Sequence, residues 1–336
     1  MTRFRTTRRS VLLGLAVAPA VFGAARAAPL TLRLSSSLPD DPKYANGRVY
    51  YDNLVKRLGA IGLGDQIKVD FFPNNQLGQE IDVVNSVSLG VIDLMVTGTS
   101  IWANVVPLIG LMDLGYLFES FPQQTKALEA GAAKPLEAAL RKGANAHIIG
   151  WAYNFGARSV LCKTPIHTPA DLAGKRIRTL PNKIITECLR LMGAAATPLA
   201  FGEIYTALQA GVLDGLEHDP PTILASKFYE TAKNYSLTEH NFSALGVFCS
   251  GITLARMPTP LRDQFLAAAA KAAADTRVRG LEAQKEAMEA LKDKGVTIIA
   301  VDKEPFRRRV LPQTDAFMTA HPEARPIIEM IRSTNA

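Results

Sequence analysis

The chain has 336 residues, 48% hydrophobic and 21% charged, a globular composition long enough for two domains of ordinary size. Its net charge of +7 does not argue for a nucleic-acid partner, because Arg3, Arg5, Arg8, Arg9 and Arg26 lie in residues 1–27, which hold no acid, and the remainder carries only +2. Beyond the leader no run reaches the ~18 uninterrupted apolar residues that a bilayer span needs, which excludes membrane insertion of the mature chain.

The leader comes first. Thr7-Arg8-Arg9-Ser10-Val11-Leu12 sets paired arginines ahead of an apolar run, Val11 to Gly23, and Ala25-Arg26-Ala27 follows as a small-x-small cleavage site. Residues 1–27 therefore read as a twin-arginine signal peptide, with the mature chain beginning near Ala28 and working outside the cytoplasmic membrane. The alternative is an apolar helix that stays attached. Cys162, Cys188 and Cys249 are odd in number and widely spaced; they read as small buried hydrophobes, although export would permit a disulfide.

Leu30 to Leu34 alternates as a first strand and runs into a polar loop, Ser35 to Pro42. A helix with Tyr50, Leu54 and Leu58 on one face follows. Ile67, Val69 and Phe71 alternate as a second strand, and Phe72 to Gly78 forms a turn. A short helix carrying Ile81, Val84 and Val87 ends at Gly90, and Val91 to Val96 makes a third strand. This β-α-β-α-β order predicts parallel strands with crossover helices. In such sheets ligands sit at the strand carboxyl ends, so Ser35 to Ser37, Thr97, Thr99, Ser100 and Trp102 are candidate lining residues, against the alternative of ordinary loop chemistry.

A helix near Leu136 to Leu140 leads to a strand, Ala146 to Trp151. Tyr153-Asn154-Phe155-Gly156-Ala157-Arg158 then suits a site wall or a domain crossing, before a strand from Ser159 to Cys162. A second α/β unit follows: Thr168-Pro169 starts a short helix, Arg176 to Thr179 is a strand, 182–192 a helix, Ala196 to Leu199 a strand, and 202–210 a helix ending at Gly211. Asp214 to Asp219 reads as an acidic loop, with Asp219 capping a helix that has Pro220 in its first turn. Phe242 to Leu254 reads as one long apolar strand. From Thr259-Pro260 an Ala-rich helix runs to about Lys294, roughly 50 Å at 1.5 Å per residue, long enough to cross two domains. Val296 to Val301 is a further strand, amphipathic helices close the chain, and no internal repeat is evident.

Motifs for nucleophilic, zinc, thiol and nucleotide chemistry are missing: there is no G-x-S-x-G, H-E-x-x-H, C-x-x-C, P-loop or complete G-x-G-x-x-G, and no two of the five histidines stand at i, i+4. No cofactor or metal is expected. What remains is Arg158, the Asp214 to Asp219 segment and Arg178, which sits in a segment that otherwise reads as a buried strand. A buried guanidinium costs several kcal/mol unless paired. It matches a carboxylate at two points, so Arg178 either pairs with Glu187, Glu203 or Asp214 or clamps a ligand carboxylate.

The stretch Gly174-Lys175-Arg176-Ile177-Arg178-Thr179, followed by Thr197-Pro198-Leu199-Ala200-Phe201-Gly202-Glu203-Ile204-Tyr205 and Gly211-Val212-Leu213-Asp214-Gly215-Leu216-Glu217, resembles the substrate-binding subunits of tripartite ATP-independent periplasmic (TRAP) transporters of the C4-dicarboxylate-binding-protein type. Phe72 to Gly78, Gly90-Val91-Ile92-Asp93 and the Asn154 to Arg158 block fall in that family's order and spacing. The resemblance implies an α/β, two-lobed periplasmic binding protein clamshell with intertwined domains and a long helix crossing both. Its lobes are expected at 29–155 plus 244–282 and at 156–243 plus 283–336.

By the same resemblance Arg178 clamps the ligand carboxylate and Arg158 adds a second contact. The expected ligand is a small organic acid passed to the TRAP membrane subunits. The expected set of ligand-binding residues is completed by Asn154, Tyr153, Phe201, Glu217, Ser37 and the 97–102 segment, with Trp151 a further candidate wall. His218 stands where relatives commonly carry Asn, and Asn154 where many carry an acid, so substrate identity does not transfer. A secreted α/β enzyme and a periplasmic ligand sensor are the alternatives; gene neighbours encoding membrane subunits, and turnover against stoichiometric binding, discriminate them.

Overall fold

The structure, a computed structural model, describes residues 28–152 and 156–334. The leader, Tyr153, Asn154 and Phe155 lie outside the described residues. Eleven strands among the described residues follow in chain order: β1 (Leu30–Ser36), β2 (Ile67–Phe72), β3 (Leu94–Gly98), β4 (Ala146–Trp151), β5 (Ala157–Cys162), β6 (Arg176–Thr179), β7 (Ala195–Pro198), β8 (Gly215–His218), β9 (Asn234–Phe242), β10 (Leu245–Ser250) and β11 (Thr297–Ile299). They form two mixed sheets, one per lobe, ordered β2-β1-β3-β10-β4 and β11-β9-β5-β8-β6-β7. The chain passes from the first sheet to the second after β4 and returns between β9 and β10. It passes over again after β10, through the long helix.

The lobes repeat one plan that the sequence did not reveal. β1 pairs in parallel with β2 and β3, as β6 does with β7 and β8. Before β3 and β8 stand Gly90-Val91-Ile92-Asp93 and Gly211-Val212-Leu213-Asp214, each glycine at φ 72°, the left-handed region that glycine enters without steric cost. Each aspartate then accepts the backbone N–H of an arginine on the neighbouring strand, Arg33 for Asp93 (2.9 Å) and Arg176 for Asp214 (2.8 Å). The third strand therefore begins at Leu94 rather than Val91, which sits in the turn, 54% exposed.

Three further expectations change. Asp214 to Asp219 is not a loop: Gly215–His218 is β8, buried between β5 and β6. The expected long strand from Phe242 divides: Phe242 ends β9, and β10 leads into a helix, Gly251–Arg256, which Ser250 caps. β9 went unrecognised because its inward residues include Ser236, Thr238 and His240, polar side chains buried without an apolar signature. The three cysteines are free and buried.

The long helix spans Thr259–Asp293, with Pro260 in its first turn. Its buried stripe, from Phe265 through Ala269, Ala272, Thr276, Gly280, Ala283 and Ala287 to Leu291, recurs every three or four residues. The small residues let it press on its neighbours: a Cβ on Gly150 of β4 would lie 2.6 Å from that of Ala273. It packs on β4 and the helix Asn46–Ala60 of one lobe and on the helix Pro220–Ala225 of the other. Among the described residues no helix is long and apolar enough to cross a membrane.

Candidate functional site between the lobes

Strand order switches next to β1 and β6, and the carboxyl ends of β1, β3, β6 and β8 face one another across a cleft. The first lobe lines it with Ser37, Leu38, Glu80, Gly98 and Ser100; the second contributes Arg158, Leu180, Phe201 and His218, and the crossing adds Ser243. The cavity is about 10 Å³, room for about one water. Ser37 and Phe201 also belong to an adjoining surface groove, whose other walls include Asn75 of the first lobe and Tyr205 and Lys227 of the second.

Arg178 is fully buried on β6, beside Leu216 of β8 and Thr197 of β7. Its Nε donates to the Leu199 carbonyl at 2.8 Å, which fixes the plane of the fork. Both terminal nitrogens, Nη1 and Nη2, are buried without a hydrogen-bond partner among the described residues. The acids considered as internal partners are engaged or exposed. Asp214 takes Arg176 at two points (2.9 and 3.0 Å), Glu187 takes Arg190, and Glu203 lies exposed in the turn Phe201–Glu203. Burial lowers the Arg178 pKa to about 10, with attraction from Glu217 and Glu80 and repulsion from Arg158 acting beside it, so the group remains charged at neutral pH.

Arg158 differs from Arg178 in having an internal partner. Its Nε and Nη2 donate to the Glu217 carboxylate at 2.5 and 2.7 Å, and Nη2 also reaches the Glu217 carbonyl at 3.0 Å. Both side chains are at most 2% exposed. Burial alone would raise the Glu217 pKa, but Arg158 and the nearby His240 overcome it and hold the carboxyl at about 2. Glu217 is therefore committed to an arginine, and Arg158 enters the cleft wall with its charge already balanced.

His218 ends β8, its Nδ1 2.6 Å from Asp219 Oδ2 and its ring edge-on to Phe201 at 5.9 Å. Burial, reinforced by Arg158, lowers its pKa, so the imidazole is neutral at pH 7 rather than charged. Asp219 in turn caps the helix Pro220–Ala225 by accepting from the Thr222 N–H.

In the first lobe Ser37 and Ser100 line the cleft. Thr97 and Thr99 stand behind them: Thr97 donates to Glu80 Oε1 at 2.6 Å and Thr99 to Asp113 Oδ2 at 2.8 Å. Trp102 does not reach the cleft; it is fully buried and stacks on Phe248 at 4.8 Å. Trp151 donates to Glu137 and does not line the cavity either. Tyr153 and Asn154 fall outside the described residues.

Sequence reasoning missed Leu38, Glu80, Leu180 and Ser243. Glu80 had a readable signal, since it is the first residue of the helix that follows the Phe72 to Gly78 turn at a strand carboxyl end. Behind the cleft Asp113 is fully buried; burial raises its pKa to about 7, against the Thr99 hydrogen bond and the attraction of Arg158. Among the described residues no three His, Cys, Asp or Glu side chains group to hold a metal.

Comparison with known proteins places the fold. The family described as bacterial extracellular solute-binding protein, family 7, matches residues 52–320. A solute-binding protein of Sulfitobacter sp. is 29% identical, over 98% of this chain and 99% of its own length. A TRAP periplasmic solute-binding protein from Xanthobacter autotrophicus, solved with β-D-galacturonate bound, superposes with a TM-score of 0.85 at 28% identity, covering 90% of this chain and 99% of the other. One from Chromohalobacter salexigens, solved with D-glucuronate, gives 0.85 at 27% identity over the same shares.

Proposed function

The chain belongs to the bacterial extracellular solute-binding proteins of family 7, and from that premise we propose that it captures a sugar acid of the uronate class through Arg178 and delivers it to TRAP membrane subunits. It is a binding protein and turns nothing over, which sets the secreted-enzyme alternative aside. The observation that carries the ligand reading is the Arg178 fork, anchored through Nε with both outer nitrogens buried and without a partner among the described residues. A ligand carboxylate would accept from both at once and offset the desolvation of the charge.

The rest of the wall favours a single carboxylate with hydroxyls over a dicarboxylate. Arg158 is neutralised by Glu217, and Glu80 adds a negative charge that repels a second carboxylate. Ser37, Ser100, Ser243 and neutral His218 offer donors and acceptors of the kind that sugar hydroxyls pair with. Relatives solved with galacturonate and glucuronate support the same class. Tyr153 and Asn154 remain candidate contributors from the crossing.

The cavity lies between the two lobes, so the lobes part to load and close over the ligand. The ligand favours the closed form only through contacts it makes there and not in the open form. We assign the lobes to 29–155 plus 244–282 and 156–243 plus 283–336, and residues 1–27 to a twin-arginine signal peptide that exports the chain.

Thermal unfolding with D-galacturonate, D-glucuronate and succinate tests the reading. A uronate at a hundredfold excess over its dissociation constant adds about 2.7 kcal/mol of stability, while succinate leaves the transition unmoved. A succinate shift larger than either uronate shift, or no shift with either uronate, overturns it.

A further inference from the structure

Two asparagines cross the cleft in opposite directions. Asn182 of the second lobe donates from Nδ2 to the Ser100 carbonyl of the first at 2.6 Å. Asn104 of the first lobe donates from Nδ2 to the Pro181 carbonyl of the second at 3.1 Å. Ser100 and Leu180 line the ligand cavity, so each bond lies within two residues of the wall without touching the space inside it. Asn182 is 5% exposed, and its other atom is committed: Oδ1 accepts from the N–H groups of Ile184 and Ile185 and caps the helix Lys183–Met192. One side chain thus starts a helix of the second lobe and holds a carbonyl of the first.

We propose that Asn182 and Asn104 form a reciprocal clasp that sets the balance between open and closed lobes, making both positioning residues for ligand capture. This rests on the reading that the ligand is held between closing lobes. The geometry suits a clasp because both acceptors are main-chain carbonyls on short, ordered segments, the helix Thr99–Trp102 and the Leu180-Pro181-Asn182 turn. Neither asparagine carries charge, so the clasp is insensitive to pH and weakly sensitive to salt. A bond lost only in the open form biases the equilibrium by its net worth, about twofold to tenfold for a neutral hydrogen bond.

Asn182→Asp separates clasp from cap, because a carboxylate still accepts from Ile184 and Ile185 but faces the Ser100 carbonyl with no donor. Asn104→Ala removes the second bond from the opposite lobe. Spin labels at Lys56→Cys and Gln209→Cys, exposed on the two lobes, report the lobe separation, ligand-free and with sub-saturating D-glucuronate. Both variants are expected to lose closed population, and D-glucuronate is expected to leave them about twofold to tenfold faster with an unchanged association rate. Urea unfolding of Asn182→Asp should match wild type, a result that a purely structural role for the amide would not give. Closed fractions equal to wild type in both variants overturn the clasp. If wild-type protein fails to bind D-glucuronate, the uronate reading falls, and the ligand-free distance distributions still decide the clasp.

Discussion

Replacing Glu217 with glutamine removes one charge from a pair that is at most 2% exposed and leaves the Arg158 guanidinium buried without its counter-ion. Breaking a buried pair from one side costs about 3–5 kcal/mol, a large share of the ~5–15 kcal/mol that keeps a protein folded. Glu217→Gln should therefore lower the urea midpoint of the ligand-free protein sharply. Arg158→Met with Glu217→Leu should recover most of the loss, because exchanging the whole buried pair for apolar groups of similar volume is close to neutral. The carboxyl is held at about 2, below its ordinary value of 4.5. Its contribution is thus fully present above about pH 4.5 and is lost as pH falls toward 2, and Glu217→Gln should flatten stability in that window. A loss under about 1 kcal/mol, together with abolished ligand binding, would refute the reasoning and assign Glu217 to the ligand.

Asp113→Asn tests the opposite sign: burial raises this carboxyl to about 7, so its contribution is present below about pH 4 and lost as pH rises through 7. The asparagine variant should be more stable than wild type at pH 8, with the gain shrinking toward pH 4 in a series of urea titrations. Gly215→Ala should destabilise the second lobe by several kcal/mol, since the new Cβ would lie 2.4 Å from the Leu161 carbonyl oxygen and 3.0 Å from Cys162 Cα, backbone that cannot move aside. A melting temperature within a degree or two of wild type would contradict that packing.

Much of the fold was legible because the signals were local. Alternation at Leu32 and Leu34 marks β1, the Tyr50-Leu54-Leu58 stripe marks the helix Asn46–Ala60, and Thr259-Pro260 opens the long helix. β8 was illegible because half of its four residues are ionisable or polar, and Glu217 is buried only through an arginine 59 positions away. The same long-range pairing separates the two candidate arginines. Arg158 and Arg178 look alike in sequence, yet among the described residues one meets a carboxylate and the other only the Leu199 carbonyl. Trp102 misled for a related reason: the residue follows a strand carboxyl end, but the short helix Thr99–Trp102 turns the ring inward onto Phe248.

The pairing of the outer Arg178 nitrogens with a ligand carboxylate is the central claim, and isothermal titration of D-glucuronate into wild type, Arg178→Ala and Arg178→Lys addresses it most directly. A charge-assisted hydrogen bond is worth about 1.5–3 kcal/mol, so Arg178→Ala should bind at least about tenfold more weakly. Arg178→Lys should recover little, because an ammonium cannot offer two parallel donors. Affinity within about twofold of wild type in a folded Arg178→Ala protein would contradict the claim.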